Sequence, residues 1–476
     1  MVWFVLALVL FIFQIATILI LEFRHPSKTV AWLMVLFVFP IIGFVMYYFL
    51  AKEYSHRRKV RRKGRKVLGE LRRDLTRRAR VASESQDHRG PEMHQQDRLF
   101  TLLYNIPSSP LTRCNKVDVL TDAEETYDAI LEAMRGAKRH IHMEYYIFRS
   151  DSIGRRFQQL MIEKAKAGVE VRLICDGVGS HKLDGSFMQE LSTAGIQIYT
   201  FLPPFVAFFD KRANYRNHRK IVVVDGLVGF LGGINIGDEY LGQDKKLGHW
   251  RDTHLQIAGD AVYFLQHTFL TDWCFVSGEK LASSRFFPEH DGNGDEHVQI
   301  IPSGPDTHWD PILEVYLGTF TAAKRRIYIT TPYFIPDRSV DMALKTAAVS
   351  GVDVRIILPG VSDSKVIYWA SLSYVEELMQ AGVRFYRYRN GFMHAKVLLV
   401  DNLLACVGTA NMDMRSFFNN FEINAVLFDR GTLAQLERDF QKDMHDSEEI
   451  VLEQFERRSR LQRTKEVLAR LMSPLF

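Results

Sequence analysis

The stretch HRKIVVVD at residues 218–225 returns as HAKVLLVD at residues 394–401, and these two copies decide the fold. Each copy begins with a His and a Lys two positions apart and continues as an apolar run that is typical of a buried strand. Alternate residues of a strand share a face, so His218 and Lys220 lie on the same face. The second copy presents the same pair, His394 and Lys396. The sequence therefore predicts two equivalent strands, each opened by one His and one Lys.

An Asp closes each copy of the motif, Asp225 in the first and Asp401 in the second. Counted along a regular strand, each Asp has the opposite parity to the His and Lys of its own copy. The two carboxylates belong to the candidate catalytic motif. We nevertheless expect them to be structural and not to touch what the His and Lys touch.

The repeat extends beyond these strands. Upstream segments of the first half have counterparts in the second half, namely 138–141 with 324–327, 167–172 with 350–355, and 194–196 with 381–383. Helix-like and strand-like segments alternate, with helices at 121–136 and 153–167 and strands at 141–148, 169–175 and 196–201. This order predicts an α/β fold made of two homologous lobes. We place the first lobe at residues 99–285 and the second at residues 286–476.

Composition supports this organisation. At 476 residues with a hydrophobic fraction of 47%, the chain is long enough for two lobes and has the apolar content of a folded protein. Its cysteines are scattered without a CxxC pair, which argues against a zinc site or a disulfide scaffold and fits a reducing compartment. They are Cys114, Cys175, Cys274 and Cys406.

The first part of the chain is strongly apolar. The run at residues 2–21 is interrupted only by Gln14 and Thr17, and as a helix it would span roughly the 30 Å of a hydrocarbon core. A second apolar run follows at residues 30–50. We therefore expect residues 1–50 to form a transmembrane hairpin of two helices, at about 2–21 and 30–50. A cleaved signal peptide is the alternative, but the basic n-region is missing and the apolar run is too long.

Residues 51–98 form a basic juxtamembrane segment and a linker. Residues 51–80 carry fourteen Lys and Arg side chains against three carboxylates, whereas the whole chain has a net charge of only +5. Positive charge beside a span marks the cytoplasmic side, so we expect a multi-pass protein of the cell membrane with both lobes in the cytoplasm. The segment either attracts anionic lipid headgroups or serves only as a topology signal. Nucleic-acid binding is disfavoured because the hairpin precedes the segment.

The repeated residues suit one anion in particular, a phosphodiester. Its negative charge repels nucleophiles, so catalysis needs cationic and amide donors on the non-bridging oxygens. GGIN at 232–235 follows the first motif and GTAN at 408–411 follows the second at the same offset, so each lobe offers one Lys and one Asn. The candidate phosphate donors are Lys220, Lys396, Asn235 and Asn411.

Two His can divide the remaining roles between them. One is the nucleophile and the other is the acid for the leaving alkoxide. A carboxylate on the second ring nitrogen can hold each His in the required tautomer. We expect Asp252 to orient His218 and Glu422 to orient His394, one carboxylate in each lobe. No further cluster of His, Asp or Glu has metal-ligand spacing, so we predict a metal-independent site without a cofactor.

With one such motif in each lobe, the sequence resembles the phospholipase D superfamily, whose members carry this HKD motif twice and place both copies in one site. The resemblance covers nearly all of residues 100–476. Within that superfamily the chain is similar to the bacterial cardiolipin synthases, by an N-terminal hairpin with EFRHPSK at 22–28, by HWRDT at 249–253 and by SFFNNFE at 416–422.

The resemblance implies mixed β-sheets flanked by helices, with the two lobes related by a pseudo-twofold axis. It implies covalent phosphohistidine chemistry, with His218 and His394 as nucleophile and acid, and it carries His orientation over to Asp252 and Glu422. We assign the nucleophile to His218. The near symmetry of the repeat leaves the reverse assignment open.

Two features distinguish the lobes. Thr409 has a hydroxyl where the first lobe has Gly233, so we expect the halves to bind phosphate unequally, with Thr409 as an additional ligand. The first lobe also has an insertion rich in Pro and Phe at residues 201–211, just before its motif. This loop either contacts acyl chains at the bilayer surface or packs between the lobes, and the sequence favours neither.

The resemblance implies a membrane-bound phosphatidyltransferase that makes cardiolipin and glycerol from two phosphatidylglycerol molecules. Its partners would be these anionic phospholipids and the bilayer, not nucleic acid, and the oligomeric state is left open, a homo-oligomer included. With water or another alcohol as acceptor, the same motifs would give a phospholipase D-type hydrolase or a different transphosphatidylase. A lipid-binding scaffold without activity is the third interpretation, and the two intact motifs argue against it.

Overall fold

The computed structural model describes residues 2–22, 26–41, 43–44, 47, 65–84, 96–107, 109–203, 215–290, 294–307 and 309–473. Three of the regions discussed above lie outside the described residues, namely the basic run at 51–64, the linker at 85–95 and most of the insertion, at 204–211.

Two apolar helices begin the chain, α1 (Val2–Glu22) and α2 (Pro26–Val38). Helix α2 covers the first part of the helix expected at about residues 30–50, and beyond a bend at Phe39 the described residues 40–41, 43–44 and 47 are helical again. Pro40 follows this bend, and a proline has no N–H to donate to the preceding turn of helix. Within the ranges that the structure describes, no helix combines the length and the apolarity needed to cross a membrane. The transmembrane hairpin predicted from the sequence is thus not shown.

Two further helices precede the lobes, α3 (Arg65–Glu84) and α4 (Asp97–Asn105). The sequence predicts only a basic segment and a linker here, but α3 buries Leu68 and Leu75 in the cores of the lobes. These residues are seven positions apart and share one helix face, which explains why the segment folds against the protein. Helix α4 packs on the core of the second lobe, although the sequence assigns residues 99–105 to the first.

The first lobe alternates strands and helices as the sequence predicts, and its predicted elements begin within one residue of the observed positions. Its strands are β1 (Leu111–Thr121), β2 (His140–Tyr145), β3 (Glu170–Asp176), β4 (Gln197–Phe201), β5 (Arg216–Asn217), β6 (Ile221–Val224), β7 (Val228–Gly232), β8 (Trp250–Arg251) and β9 (Thr253–Ala258). Its helices are α5 (Asp122–Gly136), α6 (Ser152–Lys166), α7 (Gly185–Thr193) and α8 (Ala261–Ser277).

The second lobe repeats these elements and adds a short C-terminal region. Its strands are β10 (Glu296–Ser303), β11 (Arg326–Thr330), β12 (Phe334–Ile335), β13 (Asp353–Pro359), β14 (Arg384–Tyr388), β15 (Phe392–Met393), β16 (Val397–Val400), β17 (Leu404–Gly408), β18 (Met412–Asp413), β19 (Asn420–Leu427) and β20 (Ser447–Glu449). Its helices are α9 (Pro311–Ala322), α10 (Arg338–Val349), α11 (Lys365–Gln380), α12 (Met414–Phe418), α13 (Arg430–His445), α14 (Leu452–Glu456) and α15 (Arg460–Leu471).

The order of the strands shows the repeat directly. The first lobe has the order β4-β3-β2-β6-β7-β9-β1, and the second has β14-β13-β11-β16-β17-β19-β10. In both lobes the first three strands are parallel, and the motif strand, β6 or β16, is antiparallel to its neighbours. The mixed α/β fold and the two homologous lobes are therefore confirmed.

The two sheets are continuous because β1 pairs antiparallel with β10, with Leu111 opposite Gln299. These two strands occupy equivalent positions in the repeat. Strands β6 and β16 lie in the middle of their halves, and every residue in them is buried. Helices cover both faces of such a strand, which explains the unbroken apolar runs of IVVV and VLLV. Each motif strand thus presents its first residues from a rigid, buried position.

Candidate active site

The two motif strands carry their catalytic candidates at the same end. His218 and Lys220 come just before β6, His394 and Lys396 come just before β16, and all four side chains are buried. Lys220 Nζ donates to the carbonyl oxygen of His218 at 2.7 Å. Lys396 Nζ donates to the carbonyl oxygen of His394 at 2.5 Å. The spacing of two residues therefore places each ammonium beside its own His.

Each His is paired with a carboxylate of the other lobe. His218 Nδ1 lies 2.9 Å from Glu422 Oε2, and His394 Nδ1 lies 2.6 Å from Asp252 Oδ2. The expectation that Asp252 orients His218 and Glu422 orients His394 is therefore wrong. Both carboxylates are the right residues, but their partners are exchanged between the lobes.

Two short parallel pairings explain the exchange. Strand β5 pairs with the start of β19, and the backbone N–H of His218 donates to the carbonyl oxygen of Phe421 at 2.9 Å. Strand β15 pairs with β8, and the backbone N–H of His394 donates to the carbonyl oxygen of Arg251 at 2.8 Å. Phe421 and Arg251 each precede a carboxylate by one residue. The chain before each motif is thus held against the other lobe, next to that lobe's carboxylate.

The two Asp residues that close the motifs lie elsewhere. Asp225 accepts from the backbone N–H groups of residues 138–140 at 2.7 to 2.8 Å, and Asp401 accepts from those of residues 324–326 at 2.9 Å. Both residues adopt left-handed backbone angles, with φ of 54° and 51°. Their carboxylates therefore tie a turn to the neighbouring strand, in agreement with the parity argument.

The structure gives Thr409 a different place from the one expected. Its hydroxyl donates to Glu422 Oε2 at 2.5 Å and accepts from the backbone N–H of Ile423 at 2.9 Å. A hydroxyl has a single proton to donate, and that proton is used by the carboxylate. Thr409 therefore supports the group that holds His218 and does not donate to a phosphate, which corrects the sequence-based expectation.

The counterpart of Thr409 in the first lobe is Gly233, and the structure explains the difference. A Cβ at Gly233 would lie 2.0 Å from Asp252 Oδ1, so no side chain fits. Asp252 is one methylene shorter than Glu422, and it approaches the backbone at this glycine. The unequal residues therefore serve unequal carboxylates.

The two repeated Asn residues are both buried beside the motifs. Asn235 Oδ1 accepts from the backbone N–H of Ile147 at 3.0 Å, and its Nδ2 donates to the hydroxyl of Tyr240 at 3.0 Å. The backbone N–H of Asn411 donates to Ser416 Oγ at 3.1 Å, and within the described part of the chain its Oδ1 has no hydrogen-bond partner. Phosphate binding by these two side chains stays a prediction.

Burial sets the protonation of the four basic groups. It lowers the pKa of His218 to about 4 and that of His394 to about 3. Burial also lowers the pKa of Lys220 to about 7 and that of Lys396 to about 8. Both imidazoles are therefore neutral near pH 7. Each lysine also acts on the pKa of the His in the other lobe, so the two motifs share one electrostatic environment.

The two carboxylates remain ionised. Burial by itself raises the pKa of a carboxyl, but the contact with His218 and the charge of Lys220 keep the pKa of Glu422 below its usual value. Lys396 and His394 have the same effect on the pKa of Asp252. Each anion accepts a hydrogen bond from Nδ1–H, and the lone pair of each imidazole is then on Nε2.

Sequence reasoning missed one residue that connects the two halves, Arg219. Its Nε donates to the carbonyl oxygen of Glu422 at 3.1 Å and its Nη2 to that of Ser303 at 3.0 Å, while Nη1 pairs with the buried Asp272. The matching position in the second motif is Ala395. The sequence did contain a signal for this contact. A charged residue stands in one copy of the motif where the other copy has a small apolar one, which indicates a partner present on one side only.

Among the described residues, no three or more His, Cys, Asp or Glu side chains are grouped so as to hold a metal ion. The independence of the site from metals is a prediction that rests on the chemistry of the motif.

Comparison with known proteins connects this geometry to a family. The family described as "Cardiolipin synthase, PLD-like domain" matches the chain twice, at residues 130–258 and 316–444, and each match contains one motif. The family described as "Phospholipase_D-nuclease N-terminal" matches residues 2–52.

Curated relatives match over almost the whole length. A cardiolipin synthase of Halalkalibacterium halodurans is 44% identical over 466 residues, covering 97% of this chain and 92% of the relative. Cardiolipin synthase 2 of Bacillus anthracis is 42% identical over 468 residues, covering 98% of this chain and 90% of the relative.

Among solved structures, a phosphatidylserine synthase of Haemophilus influenzae has a similar fold. The TM-score is 0.62 at 15% identity, covering 80% of this chain and the whole of the other. The family matches and the full-length relatives agree with the paired motifs of the site. This chain therefore belongs to the cardiolipin synthase family of phospholipase D-like proteins.

Proposed function

We propose that this chain is a phosphatidyltransferase that converts two phosphatidylglycerol molecules into cardiolipin and glycerol. The observation that carries the proposal is the crossed site, in which His, Lys and carboxylate residues of both lobes share one buried environment. Relatives that are described as cardiolipin synthases over more than nine-tenths of the chain support the choice of lipid and acceptor.

In the first step, Nε2 of His218 attacks the phosphorus of one phosphatidylglycerol. Glu422 accepts from Nδ1 of this His, and so fixes the tautomer whose lone pair is on Nε2. A P–N bond forms and the bond between phosphorus and the headgroup glycerol oxygen breaks. Glycerol leaves with the proton that His394 takes up when the anionic phosphodiester binds beside it, and the products are a phosphatidyl-His218 and a neutral His394.

The assignment of His218 as nucleophile has one structural support. Lys396 Nζ lies 3.0 and 3.1 Å from the two ring nitrogens of His394. An ammonium so close to the imidazole occupies its lone pair and makes it a weaker nucleophile. Lys220 makes its hydrogen bond to the carbonyl oxygen of His218. Lys396 makes the equivalent bond to the carbonyl oxygen of His394 and the ring contact in addition, so His394 is the poorer nucleophile and is left with the role of acid.

In the second step, the terminal hydroxyl of a second phosphatidylglycerol attacks the phosphorus. It gives its proton to His394, the P–N bond breaks, and cardiolipin leaves with His218 neutral again. The negative charge of the bound phosphodiester raises the pKa of His394 from its low value in the free enzyme, so that the imidazole is protonated before the first step and again after the second.

Lys220 and Lys396 stabilise the negative charge on the non-bridging oxygens, and Asn235 and Asn411 are the amide donors. Both lysines are buried, so their charges are poorly screened by water and act strongly on a bound anion. Desolvation of this kind is expensive without an anionic partner, which fits a site built for phosphate.

The product of the reaction tests the proposal. Purified full-length protein is incubated with phosphatidylglycerol as the sole lipid, and the products are separated. Cardiolipin and glycerol in equal amounts are expected. Phosphatidic acid in their place would identify a phospholipase D-type hydrolase. Protein with His218→Ala is the control for lipid chemistry that does not depend on the site.

We also propose that the N-terminal helices anchor the chain as a membrane hairpin, with the lobes on the cytoplasmic side. Helices α1 and α2 expose many large apolar side chains, such as Phe13 and Phe37, which favours a lipid environment over water. The basic run at residues 51–64 follows them directly and supports a cytoplasmic position for what comes after.

Thiol labelling in intact cells tests this topology. A Ser27→Cys variant is expected to react with a membrane-impermeant maleimide from outside. The exposed Cys114 of the first lobe is expected to react only after the membrane is opened. Labelling of Cys114 in intact cells would overturn the orientation.

A further inference from the structure

The C-terminal helix α15 has its polar and apolar faces the opposite way round from a helix on a protein in water. Glu466 is only 2% exposed on the side that packs against the lobe, whereas Leu461, Leu468 and Leu471 are 66%, 59% and 75% exposed. A surface helix of a soluble domain normally buries its leucines and exposes its charges. The outward leucines of α15 therefore indicate contact with something other than water.

Hydrogen bonds fix the helix in this orientation. The Glu466 carboxylate accepts from Arg458 Nε at 2.8 Å and from Gln462 Nε2 at 2.9 Å. Arg458 also pairs with Glu376 of helix α11 at 2.6 Å, which ties the start of α15 to the lobe. Ser459 caps the helix by accepting from the N–H of Gln462. Gln462 belongs to the same helix, but Arg458 precedes it and is held by Glu376, so rolling the helix over would separate the buried Glu466 from Arg458. The leucines are therefore held outward.

The exposed apolar residues lie on one side of the helix, with the exposed Arg460 and Thr464 among them. Val467 and Met472 are exposed as well, and together with the three leucines they occupy an arc of roughly 140° at 3.6 residues per turn. We call these five residues the leucine arc. An arc of this width is what an interfacial helix presents to lipid.

Basic side chains border the leucine arc. Residues 457–472 carry six Lys and Arg side chains and one carboxylate, and that carboxylate is the buried Glu466. By the helical repeat, Arg463 and Arg470 lie on one edge of the arc and Lys465 on the other. Arg470 also donates to the carbonyl oxygen of Ser373, and Lys465 lies over the ring of Trp369. Long cationic side chains at the edges of an apolar face can reach anionic headgroups while the face enters the acyl region.

We propose that α15 lies in the interface of an anionic phospholipid bilayer and inserts the leucine arc between the headgroups. This contact would be separate from the N-terminal helices and would hold the second lobe on the membrane surface. The choice of lipid as the occupant rests on the proposed function, because substrate and product are anionic lipids. The positive border complements an anionic lipid surface. An acidic protein could match the same charge, but the proposed reaction already brings anionic lipid to the enzyme and requires no such protein.

Depth-dependent fluorescence quenching tests the proposal in the full-length protein. A Cys114→Ser background removes the exposed cysteine, and the other three cysteines are buried. Leu468→Cys and, separately, Leu471→Cys are labelled with an environment-sensitive dye. Leu227→Cys is the matched control, because Leu227 is an exposed leucine in the turn after the first motif. The proteins are added to vesicles of phosphatidylglycerol and phosphatidylcholine that contain spin-labelled lipids.

Dyes at positions 468 and 471 are expected to shift to the blue and to be quenched at least twofold more than the dye at 227. Quenching should be strongest with a spin label near the headgroup, and it should weaken in vesicles without anionic lipid. Equal quenching at all three positions would overturn the proposal. So would a blue shift that depends on protein concentration and not on lipid, which would assign the arc to a second copy of the chain. Cardiolipin formed in the same samples reports on the proposed function independently.

Discussion

The two halves of the site come from one repeat but hold their carboxylates differently. On the side of His218, Glu422 accepts hydrogen bonds from the imidazole, from the hydroxyl of Thr409 and from Asn420 Nδ2 at 3.1 Å. Three side chains therefore position this carboxylate. It is the better supported of the two.

On the side of His394, the shorter Asp252 also accepts a hydrogen bond from the imidazole, but fewer side chains hold this carboxylate in place. It accepts from the imidazole and from the backbone N–H of Thr253 at 2.8 Å, and Gly233 leaves room for it. The glycine and the threonine of the repeat are thus each matched to the length of the acid that faces them. Both halves therefore keep the same His and Lys but differ in the hydrogen bonds that hold the carboxylate behind each His. Such a difference is enough to give the two His residues unequal roles, one as nucleophile and one as acid.

Removing the two His residues one at a time should have the largest effects and should show most clearly that their roles differ. His218→Ala is expected to abolish cardiolipin formation and the covalent adduct, because no nucleophile remains. His394→Ala is expected to slow the reaction by about 10²- to 10⁴-fold, the usual contribution of a general acid. Mass spectrometry of protein trapped with phosphatidylglycerol measures the adduct. A phosphatidyl group on His394 in the wild type would reverse the assignment.

Removing the carboxylates should cost less. Glu422→Gln and Asp252→Asn keep the size of each side chain but lose the charge that fixes the imidazole tautomer, and a fall of about 10- to 100-fold in kcat is expected. KM should change little, since neither group is proposed to touch substrate. An unchanged kcat in either variant, with the protein folded by circular dichroism, would contradict the orienting role.

Substitution of Thr409 tests whether its hydrogen bond to Glu422, which has no counterpart at Asp252, matters for the reaction. Thr409→Val removes a hydrogen bond to an ionised carboxylate, which is worth about 1.5–3 kcal/mol, so a fall of roughly 10-fold or more in kcat is expected. Thr409→Ser keeps the hydroxyl and serves as the control, with near wild-type activity. A rise in KM with unchanged kcat would instead indicate a contact with phosphate.

The pH profile depends on two groups of the same motif. His218 must be neutral to attack, and its pKa of about 4 sets an acid limb at which activity falls as the pH is lowered. Lys220 must be charged to hold phosphate, and its pKa of about 7 sets an alkaline limb at which activity falls as the pH is raised. A plot of kcat/KM against pH is therefore expected to be bell-shaped, with an acid limb from His218 and an alkaline limb to which Lys220 and the proton required on His394 both contribute. A profile flat from pH 6 to 9 would exclude Lys220 as a titrating phosphate ligand.

The motif Asp should have the smallest effect on chemistry. Asp225→Asn weakens three charge-assisted hydrogen bonds that hold a turn, so we expect a lower Tm and a lower yield. The protein that does fold should retain kcat within a few-fold of wild type. A folded but inactive Asp225→Asn protein would place this carboxylate in the reaction.

Much of the fold could be predicted because the spacing of apolar residues along short segments indicates strands and helices. The apolar runs of β6 and β16 and the helix α5 are signalled within a few residues, and the internal repeat fixes the order of the elements. Helix α3 was missed as a packed element because a high density of Arg and Lys obscures the spacing of Leu68 and Leu75.

The site could be predicted in its members but not in its pairings. Parity along a strand separates Asp225 from His218, and the repeat points to Asp252 and Glu422. The exchange of carboxylates depends on two-residue strands, β5 and β15, that pair with the opposite lobe. Such long-range contacts have no local signature. The hydroxyl of Thr409 was misplaced for the same reason, because its partner Glu422 is reached through a neighbouring strand.

The crossed pairing is most directly tested by ¹⁵N NMR of the histidine ring nitrogens in protein labelled at His. Signals of His218 and His394 are assigned by comparison with His→Gln variants. Glu422→Gln is predicted to change the tautomer and chemical shifts of His218 and to leave His394 within its wild-type shifts. Asp252→Asn is predicted to do the reverse. A change at His394 on Glu422→Gln, with His218 unaffected, would show that each carboxylate serves its own lobe and would contradict the account.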